Sequence, residues 1–422
     1  MLLLFYLSSG LFLGWSLGAN DASNIFGTAV GTRMVKFRTA ATIGSIFVIL
    51  GAFISGAGAT ETLGKLGSIN MIAGAFMVAL SAAFTVFAMT KMALPVSTSQ
   101  AIVGAIVGWN FFSGKVTDPA ILGRIASTWV TSPILAALFA FLIYKGMKAL
   151  SRHVSIHMFR VDAYTRIGLI LIGAFGAYSL GANNIANVMG VFVSVTPFRD
   201  WTLLHWTISS TQQLFLLGGI AIAVGIITYS KRVMLTVGTG VVKMTPQSAL
   251  VAVLSQSVVL FLFASKGLKT FLTSHGLPSL PLVPVSSSQV VIGAVLGIGL
   301  VQGGRQIRYR VIGRIVMGWV STPVIAALIT FVALFFLQNV FNQDVYETQR
   351  YALTPAVVRQ LETEGIALDT TRFEDRYPNE VSLNRALKKY TVLTAAERTR
   401  VLELARVTPA PPSGTPADTP RP

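Results

Sequence analysis

Two short stretches set polar side chains inside otherwise apolar chain. Residues 17–24 read L-G-A-N-D-A-S-N and residues 180–187 read L-G-A-N-N-I-A-N. The first offers Asn20, Asp21 and Asn24, the second Asn183, Asn184 and Asn187. Amide oxygens, a carboxylate and any carbonyls released by a helix break are hard oxygen ligands that suit a small cation such as Na⁺. Gly18 and Gly181 weaken a helix, and Asn and Asp bond readily to nearby backbone, so the pattern predicts an unwound point in each copy. Asp21 is the one acid of the first 340 residues that lies within an apolar run. A carboxylate there is costly enough that function is its default reading, either ligating Na⁺ or carrying a proton. A plain surface loop at 18–24 is the competing reading.

A second pair of stretches suits an anion. Pro95 precedes Ser97-Thr98-Ser99, and Pro284 precedes Ser286-Ser287-Ser288; Gln100 and Gln289 follow, and then a clean apolar run. Proline can open a helix but not occupy its interior, and Ser and Thr are helix caps. The spacing predicts a helix N-terminus whose free N–H groups, hydroxyls and dipole favour an oxyanion without a cationic side chain. Two such ends facing each other would clamp a tetrahedral anion. A capped helix at the membrane surface is the blander reading of either copy alone.

The elements that must position these groups are membrane spans. The chain has 422 residues, 53% hydrophobic and 12% charged, with mean hydropathy +0.67. That composition cannot cover a soluble surface. Apolar segments of spanning length predict helices near 3–32, 39–59, 70–90, 96–112, 125–144, 167–196, 203–228, 246–265, 285–302 and 315–338. We therefore expect an all-α polytopic membrane protein with about 10–12 membrane helices, some broken or re-entrant. The opening MLLLFYLSSG has no basic flank or cleavage signature and is expected to be a retained span. Cysteine is absent, which excludes disulfides and thiolate chemistry. The net charge of +17 belongs to the first 340 residues, with 22 Lys and Arg against five acids. Basic loops beside spans account for it better than nucleic-acid binding does. Placing the N-terminus outside puts 16 of these basic residues inside and six outside, so the positive-inside rule predicts outward N- and C-termini. Lys91 is expected to snorkel at the interface and His205 to sit between helices. The GxxxG spacings at Gly10/Gly14/Gly18, Gly104/Gly108 and Gly293/Gly297 suggest close helix packing.

The chain also repeats itself. LGANDASN pairs with LGANNIAN, PVSTSQAIVGAIVG at 95–108 with PVSSSQVVIGAVLG at 284–297, and GRIASTWVTSPILAAL at 123–138 with GRIVMGWVSTPVIAAL at 313–328. Under the expected topology, equivalent motifs enter from opposite sides, giving two inverted-topology repeats at 1–150 and 151–342. One echo dissents: VGTRMVK at 30–36 and VGTGVVK at 237–243 fall on the same side, and we read it as accidental. Residues 343–407 are expected to form a small helical tail, with helices near 354–364, 379–390 and 394–406 and a capping box from Thr394 to Glu397. Residues 408–422 are Pro-rich and expected to be disordered.

GAND followed by Asn24, and PVST, each repeated in a second half, resemble the inorganic phosphate transporter (PiT) family over roughly residues 1–338. The resemblance implies cation-coupled phosphate symport, two inverted halves, a multi-pass place in the cell (inner) membrane, no covalent chemistry and no cofactor beyond Na⁺ or H⁺ as coupling ion. A homodimer would be in keeping. It implies a phosphate site from Ser97, Thr98, Ser99, Ser286, Ser287, Ser288, Asn24 and Asn187. It implies a cation site from Asn20, Asp21, Asn183 and Asn184, with Gln100 and Gln289 in support. The sequence departs from the family pattern at Asn184, where many members carry Asp, and at Gln100 and Gln289, where many carry His. Related carriers move sulfate, so a permease for another oxyanion stays open, as does a passive anion channel. A membrane enzyme is disfavoured, because no His/Asp/Glu cluster of metal-ligand spacing lies in the apolar part.

Overall fold

A computed structural model describes residues 2–91, 96–153, 157–203, 206–237, 244–304, 309–374 and 376–407. Pro95, His205, most of the VGTGVVK echo, the basic residues Arg305 and Arg308, and the Pro-rich end lie outside them. The chain forms two compact units, one built from Met1–Trp109 and Thr117–Val345, the other from Asn110–Val116 with the chain from Tyr346 on.

Among the described residues, the regular elements of the first unit are helices apart from one small hairpin. Its opening helices are α1 (Leu2–Gly31), α2 (Phe37–Ser55), α3 (Ala57–Leu66) and α4 (Ile72–Lys91). The short α5 (Thr98–Ser113) and the long α6 (Pro119–His153) complete the first half. The second half has α7 (Met158–Met189), the hairpin of β1 (Trp201–Leu203) and β2 (Trp206–Ile208), α8 (Ser210–Thr228) and α9 (Ser230–Val237). It continues with α10 (Pro246–Ala264), α11 (Lys266–Ser274), the short α12 (Ser287–Val301) and α13 (Tyr309–Asn339). Each of the ten apolar stretches holds a helix. By length and composition, seven helices among the described residues suffice to cross a membrane. At 16 and 15 residues, α5 and α12 fall short of the roughly 20 that a full crossing takes.

Three boundaries differ from expectation. Both L-G-A-N segments lie inside unbroken helices, so neither is an unwound point. The glycines serve packing instead: a Cβ on Gly18 would strike the Ile222 carbonyl of α8, and one on Gly181 the Val48 carbonyl of α2. Asn183 and Asn187 of α7 bond to Val285 and Ser99 on other segments, so they do not compete for their own helix's backbone. The stretch expected from residue 203 starts as the hairpin; α8 begins only at Ser210, where Ser209 and Gln212 form a capping box. The 39–59 stretch breaks at Gly56, where a side chain would meet Ile185 and Phe215.

Packing between the halves is reciprocal. Helix α1 packs on α8, and α7 on α2. Helix α12 packs on α6, where Gly293 meets the Pro133 carbonyl; in the other half Gly104 of α5 meets the Pro323 carbonyl of α13. Each short helix is thus seated against the proline of the opposite half's last long helix. Lys91 is exposed with its ammonium 5.5 Å from the Phe87 ring centroid, as an interfacial lysine would be.

In the second unit, β3 (Arg350–Ala352) pairs antiparallel with β4 (Arg376–Tyr377) and β5 (Arg406–Val407). Helices α14 (Pro355–Thr363), α15 (Glu380–Tyr390) and α16 (Ala395–Leu404) occupy the stretches read from sequence, and the Thr394–Glu397 capping box is present. A core of Tyr351, Leu361, Leu383, Leu387 and Val401 holds the unit together. The 110–116 segment joins it where Val381 N–H donates to the Gly114 carbonyl at 3.2 Å.

Candidate functional site

The four polar segments converge. Helix α1 carries Asn20, Asp21 and Asn24 in its second half, α7 carries Asn183, Asn184 and Asn187 in its last two turns, and the N-termini of α5 and α12 carry the hydroxyls. Ser97 and Ser286 cap these two helices, each accepting the N–H of the glutamine three residues on, at 3.3 Å. The next two N–H groups, on Thr98 and Ser99 and on Ser287 and Ser288, have no intrahelical acceptor.

The hydrogen bonds interlock the halves. Ser99 Oγ donates to the Val285 carbonyl at 3.1 Å, and its counterpart Ser288 Oγ donates to the Val96 carbonyl at 3.2 Å. Each half-helix therefore holds the chain leading into the other. From α1, Asp21 reaches across to α12 and accepts from Ser287 Oγ at 2.5 Å; it is only 5% exposed. From α7, Asn187 Nδ2 donates to Ser99 Oγ at 2.8 Å. Asn183 grips the backbone of Val285 in both directions, its Nδ2 donating to the carbonyl at 2.7 Å and its Oδ1 accepting the N–H at 3.0 Å.

These bonds sort the expected ligands. Three hydroxyl protons are committed within the protein, those of Ser99, Ser287 and Ser288, and Ser286 lies 3.0 Å from Ser288 as that hydroxyl's donor. The Ser97 and Thr98 hydroxyls donate to nothing among the described residues. The Asn183 amide is fully occupied by Val285 and Asn184, so its chemistry is positioning. Asn184 Oδ1 accepts from both Asn183 and Asn187, while its Nδ2 is buried without a partner. Its open valence is a donor, which suits an anion better than the cation expected of it. Asn20 and Asn24 are half-buried and their side chains make no hydrogen bond among the described residues. Asn187 Oδ1, Gln100 Oε1 and Gln289 Oε1 are buried at this junction without a partner among the described residues.

One buried residue escaped sequence reasoning. Gln256 of α10 is fully buried and neither amide atom has a partner, on a helix that packs against α7, α12 and α1. Its only sequence signal was an amide within the apolar run ALVAVLSQSVVLF.

A model of the phosphate transporter family matches residues 17–330. The chain belongs to the phosphate transporter family. The match spans both L-G-A-N segments and both hydroxyl runs, so the interlocked site lies within the family's common part. Among relatives of this chain, the "putative phosphate permease" of Methanocaldococcus jannaschii is 27% identical over 76% of this chain and 93% of its own. That of Haemophilus influenzae is 25% identical over 79% of this chain and 96% of its own. The solved structure of "the sodium-dependent phosphate transporter" superposes with a TM-score of 0.63 at 22% identity, covering 80% of this chain and 99% of that one, and so shares its fold.

Proposed function

We propose that the protein imports inorganic phosphate across the cell membrane by symport with Na⁺ or H⁺, through alternating access. The observation that carries this reading is the junction of α5 and α12. Two helix N-termini with open N–H groups lie within a network that also holds a buried carboxylate, Asp21, on Ser287. The helix ends supply the positive field for the anion, and Asp21 with Asn20 supplies hard oxygens for the coupling cation. A cation at Asp21 offsets the carboxylate beside the anion site, so each ligand favours the other; reciprocity of this kind is the basis of symport.

The two halves, expected in inverted orientation, would exchange access by rocking about the junction. The reciprocal seating of α5 on α13 and of α12 on α6 supports this, since each half-helix moves with the opposite half's long helix. We further infer outward termini from the charge asymmetry of the loops, and a homodimer from the family resemblance. The test is uptake of labelled phosphate into proteoliposomes under an imposed inward Na⁺ or H⁺ gradient. Accumulation above equilibrium that collapses with one of the gradients is expected. Uptake that only equilibrates under both gradients would reject symport in favour of a channel.

A further inference from the structure

The second unit holds a cavity of its own, of about 420 Å³, and none of its lining residues comes from the four polar segments of the transport junction. Small-molecule sites usually measure about 300–1,000 Å³. One wall is the 110–116 segment, whose first residues end α5; the other is chain from Tyr346 on. At Gly114 the chain turns with φ +69°, so that Phe111 and Lys115 line the same space. The walls differ in chemistry. Phe111 is 71% exposed, and Phe112 meets Tyr346 edge to face with ring centroids 6.0 Å apart, which gives the cavity an aromatic side. Lys115 supplies an ammonium, Glu347 and Glu380 supply carboxylates. Glu380 accepts from the Tyr351 hydroxyl at 3.2 Å and from the Val116 N–H. A carboxylate accepts about four hydrogen bonds, so it has room for a further donor.

Both signs of charge are held there at a cost. Partial burial lowers the Lys115 pKa to about 8 and raises that of Glu380 above 4.5, although each lies in the field of the other. Each charge therefore gains from a counter-charge brought into the cavity. A bare anion would meet two carboxylates, and a bare cation would meet the ammonium. A molecule that carries both signs and an apolar side chain meets every wall. We propose that the cavity binds a free α-amino acid with an apolar or aromatic side chain. Its carboxylate pairs with Lys115, its ammonium with Glu380 and Glu347, and its side chain packs on Phe111, Phe112 and Tyr346. The charge-assisted bonds fix its orientation, and the rings supply the apolar burial.

The test is calorimetry on the purified full-length protein in detergent at neutral pH, which does not depend on what the protein transports. The probes are phenylalanine, phenylpropionate, which lacks the ammonium, and phenylethylamine, which lacks the carboxylate. Phenylalanine is expected to bind with a Kd below about 1 mM, and each analogue at least about tenfold more weakly. Phenylethylamine binding as tightly as phenylalanine would mark a simple cation site and overturn the proposal. Phenylpropionate binding as tightly, or no phenylalanine binding by about 10 mM, would overturn it too. Glu380→Gln is expected to weaken phenylalanine about tenfold and leave phenylpropionate unchanged. Lys115→Met is expected to weaken phenylalanine about tenfold without weakening phenylethylamine. Phe111→Ala removes a largely exposed ring that the fold does not need, and is expected to weaken all three probes. Phenylalanine affinity unchanged in these variants, measured on folded protein, would overturn the assignment.

Discussion

Asn20 and Asn183 occupy equivalent places in the repeat but do different work. Asn183 spends its whole amide on the Val285 backbone and on Asn184, whereas Asn20 is half-buried with its side chain open. Asn183→Ala uncovers a buried N–H and a buried carbonyl, so it is expected to lower stability by about 1–3 kcal/mol, read as a drop in the melting temperature of the detergent-solubilised protein. Asn20→Ala is expected to leave that temperature nearly unchanged while weakening cation-dependent uptake. Equal melting losses in the two variants would erase the distinction. The sequence alone made these residues twins, because motif identity reports residue type and not which backbone lies opposite. It singled out residues that the structure draws together, since intramembrane polar groups are costly and therefore conspicuous, but it could not apportion their bonds. Nor could it single out Gln256, whose lack of partners among the described residues shows only in three dimensions.

At the scale of elements, the apolar periodicity located every long helix, and proline followed by hydroxyls located the starts of α5 and α12. It misjudged the L-G-A-N glycines. Helix propensity favours a break at Gly18 and Gly181, but the close approach of α8 and α2 wins, because a membrane interior rewards backbone contact through small residues. Gly18→Ala and Gly181→Ala are expected to cost about 1–3 kcal/mol each by overpacking against backbone. Gly64→Ala in α3, where nothing lies within 4 Å of the added carbon, is expected to be neutral or to gain up to about 1 kcal/mol from helix propensity. Melting curves of the three variants decide it. The hairpin before α8 was hidden for a related reason: WTL and WTI are as apolar as a span, and strand and helix differ there only in length.

At the scale of the whole molecule, the second unit draws on two separate parts of the sequence, 110–116 and the chain from Tyr346 on. The tail was legible as three helices; its recruitment of residues 110–116 was not, since no local pattern marks a contact across more than 200 residues. That segment brings Lys115 into a partly buried setting, where desolvation lowers its pKa from 10.5 to about 8 despite Glu380 and Glu347, with Arg406 adding to the fall. Burial also raises Glu380 above its ordinary 4.5, against the bond donated by Tyr351 and the nearby Lys115 and Arg406. The signs follow from proton counting. Between about 8 and 10.5 the unfolded chain holds a proton that folded Lys115 has released, so the unit gains stability as pH rises. Above 4.5 folded Glu380 holds a proton that the unfolded chain has lost, so stability falls as pH rises through that window. Protease susceptibility of residues 376–404 is thus expected to peak between the two titrations, and Lys115→Met to remove the alkaline gain.

The proposed coupling turns on Asp21, the carboxylate at a junction whose second copy has Asn184. The direct measurement is phosphate accumulation in proteoliposomes under an inward Na⁺ or H⁺ gradient, wild type against Asp21→Asn, with phosphate binding measured in parallel. Wild type is expected to concentrate phosphate, and Asp21→Asn to retain phosphate binding but lose accumulation driven by the gradient. Gradient-driven accumulation equal to wild type in Asp21→Asn would contradict the assignment of coupling to this carboxylate.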